Sequence, residues 1–150
     1  MLNQKLLIVL SILTLTLSSS ILAQTPTELV ESFFADYEEK GGSFALGKLY
    51  STNKWMERNA DQAASVKSQL DGLNEEFVGK YYGFEIIVRK DFTKSYSLLS
   101  CLAKFDRQPV RFIFHFYRPK DKWAIYAFKF DDNFGAEIEE AAKLYYLPLD

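Results

Sequence analysis

The chain has one cysteine, Cys101, and one histidine, His115, among 150 residues. A lone cysteine forms no internal disulfide, and with a single histidine beside it there is no ligand set for a structural zinc site. A strong excess of either charge is also missing, since 18 basic residues stand against 20 acidic ones. That balance gives no footing for nucleic acid or an anionic membrane as partner. No apolar run reaches the roughly 20 residues that a membrane-spanning helix needs. Internal repeats, linkers and low-complexity stretches are lacking as well, and no cofactor motif is present.

The chain does have an N-terminal apolar run, Leu6 to Leu17, behind Lys5 and ahead of the small-residue stretch Ser18 to Ala23. Residues 1–23 therefore read as an export signal, leaving 24–150 as a single domain in a periplasm or outside the cell. No cysteine follows the cleavage region, so bacterial lipid attachment is not expected, and nothing holds the cleaved chain in a membrane. A domain of this length buries roughly two thirds of its unfolded surface and needs no covalent staple.

Helices come first. Thr25-Pro26-Thr27-Glu28 fits a capping box with proline at the first helical position. Leu29, Val30, Phe33, Phe34 and Tyr37 then form one apolar stripe before Gly41-Gly42. Short helical turns follow from Ser43 to Arg58. Ala63, Val66, Leu70, Leu73, Phe77 and Tyr81 predict a second long helix from about Asn59 or Asp61 to Lys80.

The remainder alternates with the period of a strand. Tyr82 to Lys90 places Phe84, Ile86 and Val88 on one side, and Tyr96 to Phe105 is a second strand. Val110 to Phe130 reads as a hairpin around Arg118–Lys122. Pairing Tyr117 with Trp123 puts Val110, Phe112, Phe114, Phe116, Ala124, Tyr126, Phe128 and Phe130 on one face. Pairing Phe105 with Val110 adds Leu99, Cys101 and Ala103 to that face, with Cys101 opposite Phe114. The second face then carries Leu98, Ser100, Leu102, Lys104, Arg111, Ile113, His115, Tyr117, Trp123, Ile125, Ala127 and Lys129, with Ser100 beside His115. Phe134, Ile138, Ala141, Ala142 and Tyr145 predict a closing amphipathic helix ended by Pro148. The fold class is α+β: helices packed on a curved antiparallel sheet of about four strands, with a C-terminal helix.

This order of elements, with the strands of FIFHFYRPKDKWAIYAFKF, resembles the cone-shaped fold of the nuclear transport factor 2-like superfamily, which includes ketosteroid isomerase and scytalone dehydratase. A cystatin-like sheet is the competing resemblance. The first implies a small hydrophobic ligand held between helices and sheet, or pairing through the sheets.

The chemistry-bearing residues belong mostly to the second face. His115 with Tyr117 and Ser100 has the makings of an acid–base site, although no nucleophile elbow surrounds Ser100. Leu98, Leu102, Arg111, Ile113, His115, Tyr117, Trp123 and Ile125 form a surface too apolar to stay exposed on a monomer. Arg111, Lys104 and Lys129 gather at one end, balanced by water or by an acid such as Glu85. The leading reading is a non-catalytic module that binds a small apolar ligand or pairs with a second copy. An isomerase or lyase using His115 is the second reading, and a recruiter of another exported protein the third.

Overall fold

In the computed structural model, which describes residues 23–144, the first helix begins where its cap predicts. Helix α1 runs Pro26–Lys40. The Thr25 hydroxyl accepts from the Glu28 amide at 3.3 Å, and the Glu28 carboxylate accepts from the Thr25 amide at 2.7 Å. The whole predicted stripe from Leu29 to Tyr37 is buried. Gly41, at φ +88°, ends α1 and starts α2, Gly42–Tyr50. All but the last residue of the expected export signal, 1–23, and Tyr145 and Pro148 at the far end lie outside the described residues.

The predicted long second helix is broken. A 3-10 turn, Met56–Asn59, leads into α3, Ala60–Asp71. Asn74 then takes an extended conformation, and its side chain accepts from the Phe77 amide at 3.1 Å, capping a separate short helix α4, Glu75–Val78. An asparagine that offers the backbone an acceptor starts a new helix more readily than it continues an old one.

Four strands follow: β1 Tyr81–Thr93, β2 Tyr96–Phe105, β3 Val110–Tyr117 and β4 Ala124–Asp131, paired antiparallel in that order. Helix α5, Gly135–Leu144, closes the described chain. The architecture is α+β as expected, with α1 laid on one sheet face. The Phe33 ring lies 5.1 Å from Phe114 and 5.7 Å from Phe128, and Phe34 stacks on Phe84 at 4.0 Å. Phe112, Phe114 and Phe116 are fully buried there.

The registers differ from the predicted ones in instructive ways. Ala103, not Phe105, pairs with Val110, so Cys101 faces Phe112 and Leu99 faces Phe114. A slip of two residues preserves every face. Leu99, Cys101 and Ala103 are accordingly buried with the phenylalanines.

Strand β4 departs further. Tyr117 pairs with Ala124 and Phe116 with Ile125, after which a bulge at Tyr126 sets Ala127 against His115 and Phe128 against Phe114. The extra residue reverses the alternation before it. Ile125, predicted on the second face, is fully buried in the core; Ala124 and Tyr126, predicted in the core, are not. The loop after α2 fixes this register from outside. The Ile125 amide donates to Thr52 Oγ1 at 3.0 Å, and Asn53 Nδ2 donates to the Ile125 carbonyl at 2.6 Å. In β1 a similar irregularity at Ile87 keeps Phe84 and Ile86 opposite Ala103 and Cys101 but turns Val88 to Ser100.

The predicted stripe of the last helix is not buried along its length. Phe134 is buried, but Ile138, Ala141 and Ala142 are exposed. Glu137 of α5 is instead tied to Arg111 at 2.5 Å.

Candidate functional site

The strand period that buries Leu99, Cys101 and Ala103 must turn Leu98, Ser100 and Leu102 to the opposite face, and with them Tyr96. Tyr96 and not Ser100 is the partner of His115. Its hydroxyl lies 2.9 Å from His115 Nδ1, and the two rings meet edge-on at 6.0 Å. Leu98 is the residue directly across from His115, while Ser100 sits across from Ile113 and is buried. The two-residue slip accounts for this exchange of partners.

Around the pair lies an aromatic cluster supplied by two irregular positions. The bulge delivers Tyr126, whose ring is 6.0 Å from Tyr96 and 6.5 Å from Tyr117. Phe92, at the end of β1, approaches Tyr96 at 6.3 Å. Phe92, Tyr117 and Tyr126 are 59%, 45% and 58% exposed. Val88, half exposed, extends the apolar surface along β1.

The other predicted residues divide. Leu98 and Leu102 are half-buried on this face, and Ile113 is buried between them and Lys129. Ile125 belongs to the core. Trp123 does not pair with Tyr117; it packs against the edge of the core and holds the Arg118 guanidinium 4.8 Å from its ring. The expected cluster of like charges is resolved by acids. Arg111 grips the Asp131 carboxylate with Nη2 at 3.0 Å and Nε at 3.2 Å, and reaches Glu137 as well. Lys104 meets Glu85 at 2.9 Å.

Burial, reinforced by the nearby Lys129 ammonium, holds the His115 pKa below its ordinary value. The imidazole is therefore neutral at neutral pH, and one that accepts at Nδ1 from the Tyr96 phenol carries its proton on Nε2. A tyrosine–histidine pair can shuttle a proton, but catalysis needs a space that positions a substrate against it. A cleft of ≈ 450 Å³ opens between α2 and α3, and His115 is not in its wall. Among the described residues no three His, Cys, Asp or Glu are grouped to hold a metal ion, and no helix is long and apolar enough to cross a membrane.

Cys101 is fully buried, and burial pushes its thiol up to about 12. That thiol packs as a small apolar group. Sequence reasoning does not single out Tyr96, Phe92 or Tyr126: spacing makes the first a strand start, leaves the second between two strands and places the third in the core. The polar–aromatic alternation Tyr96-Ser97-Leu98 was the one signal that pointed to Tyr96. The chain matches no known protein family, curated protein or solved structure.

Proposed function

We propose that this protein is an exported, non-catalytic accessory module that pairs with a second copy through the sheet face opposite the helices. One observation carries the reading: three aromatic side chains, Phe92, Tyr117 and Tyr126, stand about half exposed beside one another on a single face whose helix-covered reverse is saturated with phenylalanine. Contiguous apolar surface of that kind on a water-soluble domain marks a contact surface. A twofold contact asks for a self-complementary patch, and tyrosines packed edge-on around a neutral histidine supply one. The resemblance to the nuclear transport factor 2-like superfamily rests on element order and belongs to the same proposal.

Sedimentation of the purified chain over a wide concentration range tests it. The expected result is a reversible dimer that Tyr117→Lys converts to a monomer with an unchanged circular dichroism spectrum. A chain that stays monomeric at millimolar concentration, or a Tyr117→Lys variant that dimerises as well as the parent, refutes the pairing. The acid–base reading of His115 is separated by His115→Gln, which must abolish any isomerase or lyase activity of the parent for that reading to stand.

A further inference from the structure

The cleft between α2 and α3 lies apart from His115 and is built differently from the sheet face. Its wall combines Tyr50, Met56 and Ala63 with two lysines, Lys67 and Lys54, the Lys54 ammonium standing 5.0 Å over the Trp55 ring. No acid is among the described residues that line it. Lys67 is half-buried, and no described carboxylate lies within salt-bridge distance of it. Gly47 makes room for it: a Cβ at that position would stand 3.2 Å from Lys67 Nζ. The ammonium is thus laid across the helix α2 backbone at the cleft.

Next to this space is a recess of ≈ 180 Å³ that shares Tyr50, Met56 and Ala63 and continues past Gln62 and Val66 to Tyr126 and Phe128. The shared residues let a ligand run from the cleft into the recess along Met56, Ala63, Val66 and Phe128, a track that Asn59 and Gln62 flank with polar groups. A volume of ≈ 450 Å³ falls in the usual range of roughly 300–1,000 Å³ for small-molecule sites. Two cations without an acid in the lining choose the sign of the ligand's charge, and the apolar track chooses its body.

We propose that this cleft binds a small amphiphile, an unbranched apolar chain ending in one anionic group, with the anion at Lys67 and Lys54 and the chain along Met56 and Ala63 toward Phe128. The head is a carboxylate or a phosphate monoester, both of which these ammonium groups accept. The Tyr50 phenol, whose pKa burial raises, stays neutral and offers a hydrogen-bond donor in the same wall.

Calorimetric titration of the whole purified chain with decanoate, decyl phosphate and decyltrimethylammonium decides the matter. Saturable one-to-one binding of either anion, with no binding of the cation, is the expected result, and which anion binds identifies the head. Lys67→Gln should weaken that binding roughly tenfold, the scale of one charge-assisted hydrogen bond. Ala64→Phe, at an exposed lining position, should abolish it while leaving the circular dichroism spectrum unchanged. Equal binding of the cation, the absence of saturable binding by both anions, or an Ala64→Phe variant that binds normally overturns the proposal. Because Tyr126 lines the recess, the titration uses samples dilute enough to hold monomer, so that these outcomes do not depend on whether the sheet faces pair.

Discussion

Replacing Ile125 and Tyr126 in turn tests the strand bulge on which the candidate surface depends. In an unbroken strand the two alternate so that Tyr126 is core and Ile125 is surface; the bulge makes it the other way round. Ile125 is fully buried opposite Phe116, so Ile125→Ala removes buried methyl groups and leaves a cavity in a closely packed layer. That costs about 2–5 kcal/mol. For a domain of this size each kcal/mol lowers Tm by about 4 °C, giving a fall of ~8–20 °C. Tyr126→Ala gives up only edge contacts with Tyr96 and Tyr117 from a half-exposed position, about 0.5–1.5 kcal/mol. Thermal unfolding followed by circular dichroism, in samples dilute enough to hold monomer, reads both variants directly. A Tyr126→Ala variant less stable than Ile125→Ala refutes the bulge and with it the placement of Tyr126 on the second face.

Three further outcomes follow from the packing. Gly42→Ala brings a Cβ to 2.6 Å from Leu70 Cγ and should destabilise the α2–α3 contact by about 1–3 kcal/mol in urea unfolding; no loss of stability would mean the helices separate freely there. Cys101 should resist a water-soluble thiol reagent in the folded chain and react once the chain is unfolded in urea, since burial keeps the thiol protonated; rapid reaction in the folded chain contradicts its burial. His115 has a folded-state pKa below the ordinary 6.5, so protonation favours the unfolded chain. Its contribution is whole above about pH 6.5 and is lost as pH falls through the depressed value. His115→Gln should flatten the stability profile on that acid side, and an unaltered profile rules the histidine out as its source.

Where a period belongs to one uninterrupted element, as in α1, β2 and β3, sequence and structure agree; the longer stripe from Ala63 to Tyr81 misleads, because Asn74 caps a new helix inside it. The α1 stripe, its capping box and the division of β2 and β3 into two faces follow from spacing alone. The division survives the misplaced hairpin register because a two-residue slip changes partners without changing faces. It fails wherever a single residue is added. Tyr126 and Ile87 add one each, and neither position carries glycine or another bulge residue that could have announced it. The choice of partner for His115 fails for the same kind of reason: it depends on loop length, and Asp106–Pro109 allowed more than one pairing. What fixes β4 in register is long-range, two side chains at Thr52 and Asn53 seizing the backbone of Ile125 from a loop more than seventy positions away. No local pattern encodes such a contact.

The aromatic residues of the second face are not explained by the needs of the core. Five phenylalanines, Phe33, Phe34, Phe112, Phe114 and Phe116, are already buried on the helix side, each worth about 1.5–3 kcal/mol. A bulged residue, by contrast, is left out of the ladder and needs no apolar side chain. Phe92, Tyr117 and Tyr126 at about half exposure leave roughly 300 Å² of aromatic surface in water. With Val88 and Leu98 the patch reaches the 300–600 Å² that typifies the largest apolar patch of a monomer, often a functional one. A standard interface takes about 800 Å² from each partner, so the proposed contact would have this patch at its centre and polar neighbours at its rim. Arg111 cannot drive the association, because Asp131 and Glu137 already neutralise it within one chain. The proposed pairing would therefore be apolar and weak. Added sodium sulfate should strengthen it in sedimentation experiments, and added sodium chloride should leave it nearly unchanged. An association that dissolves as sodium chloride rises would be one driven by charge, and would move the contact away from these aromatics.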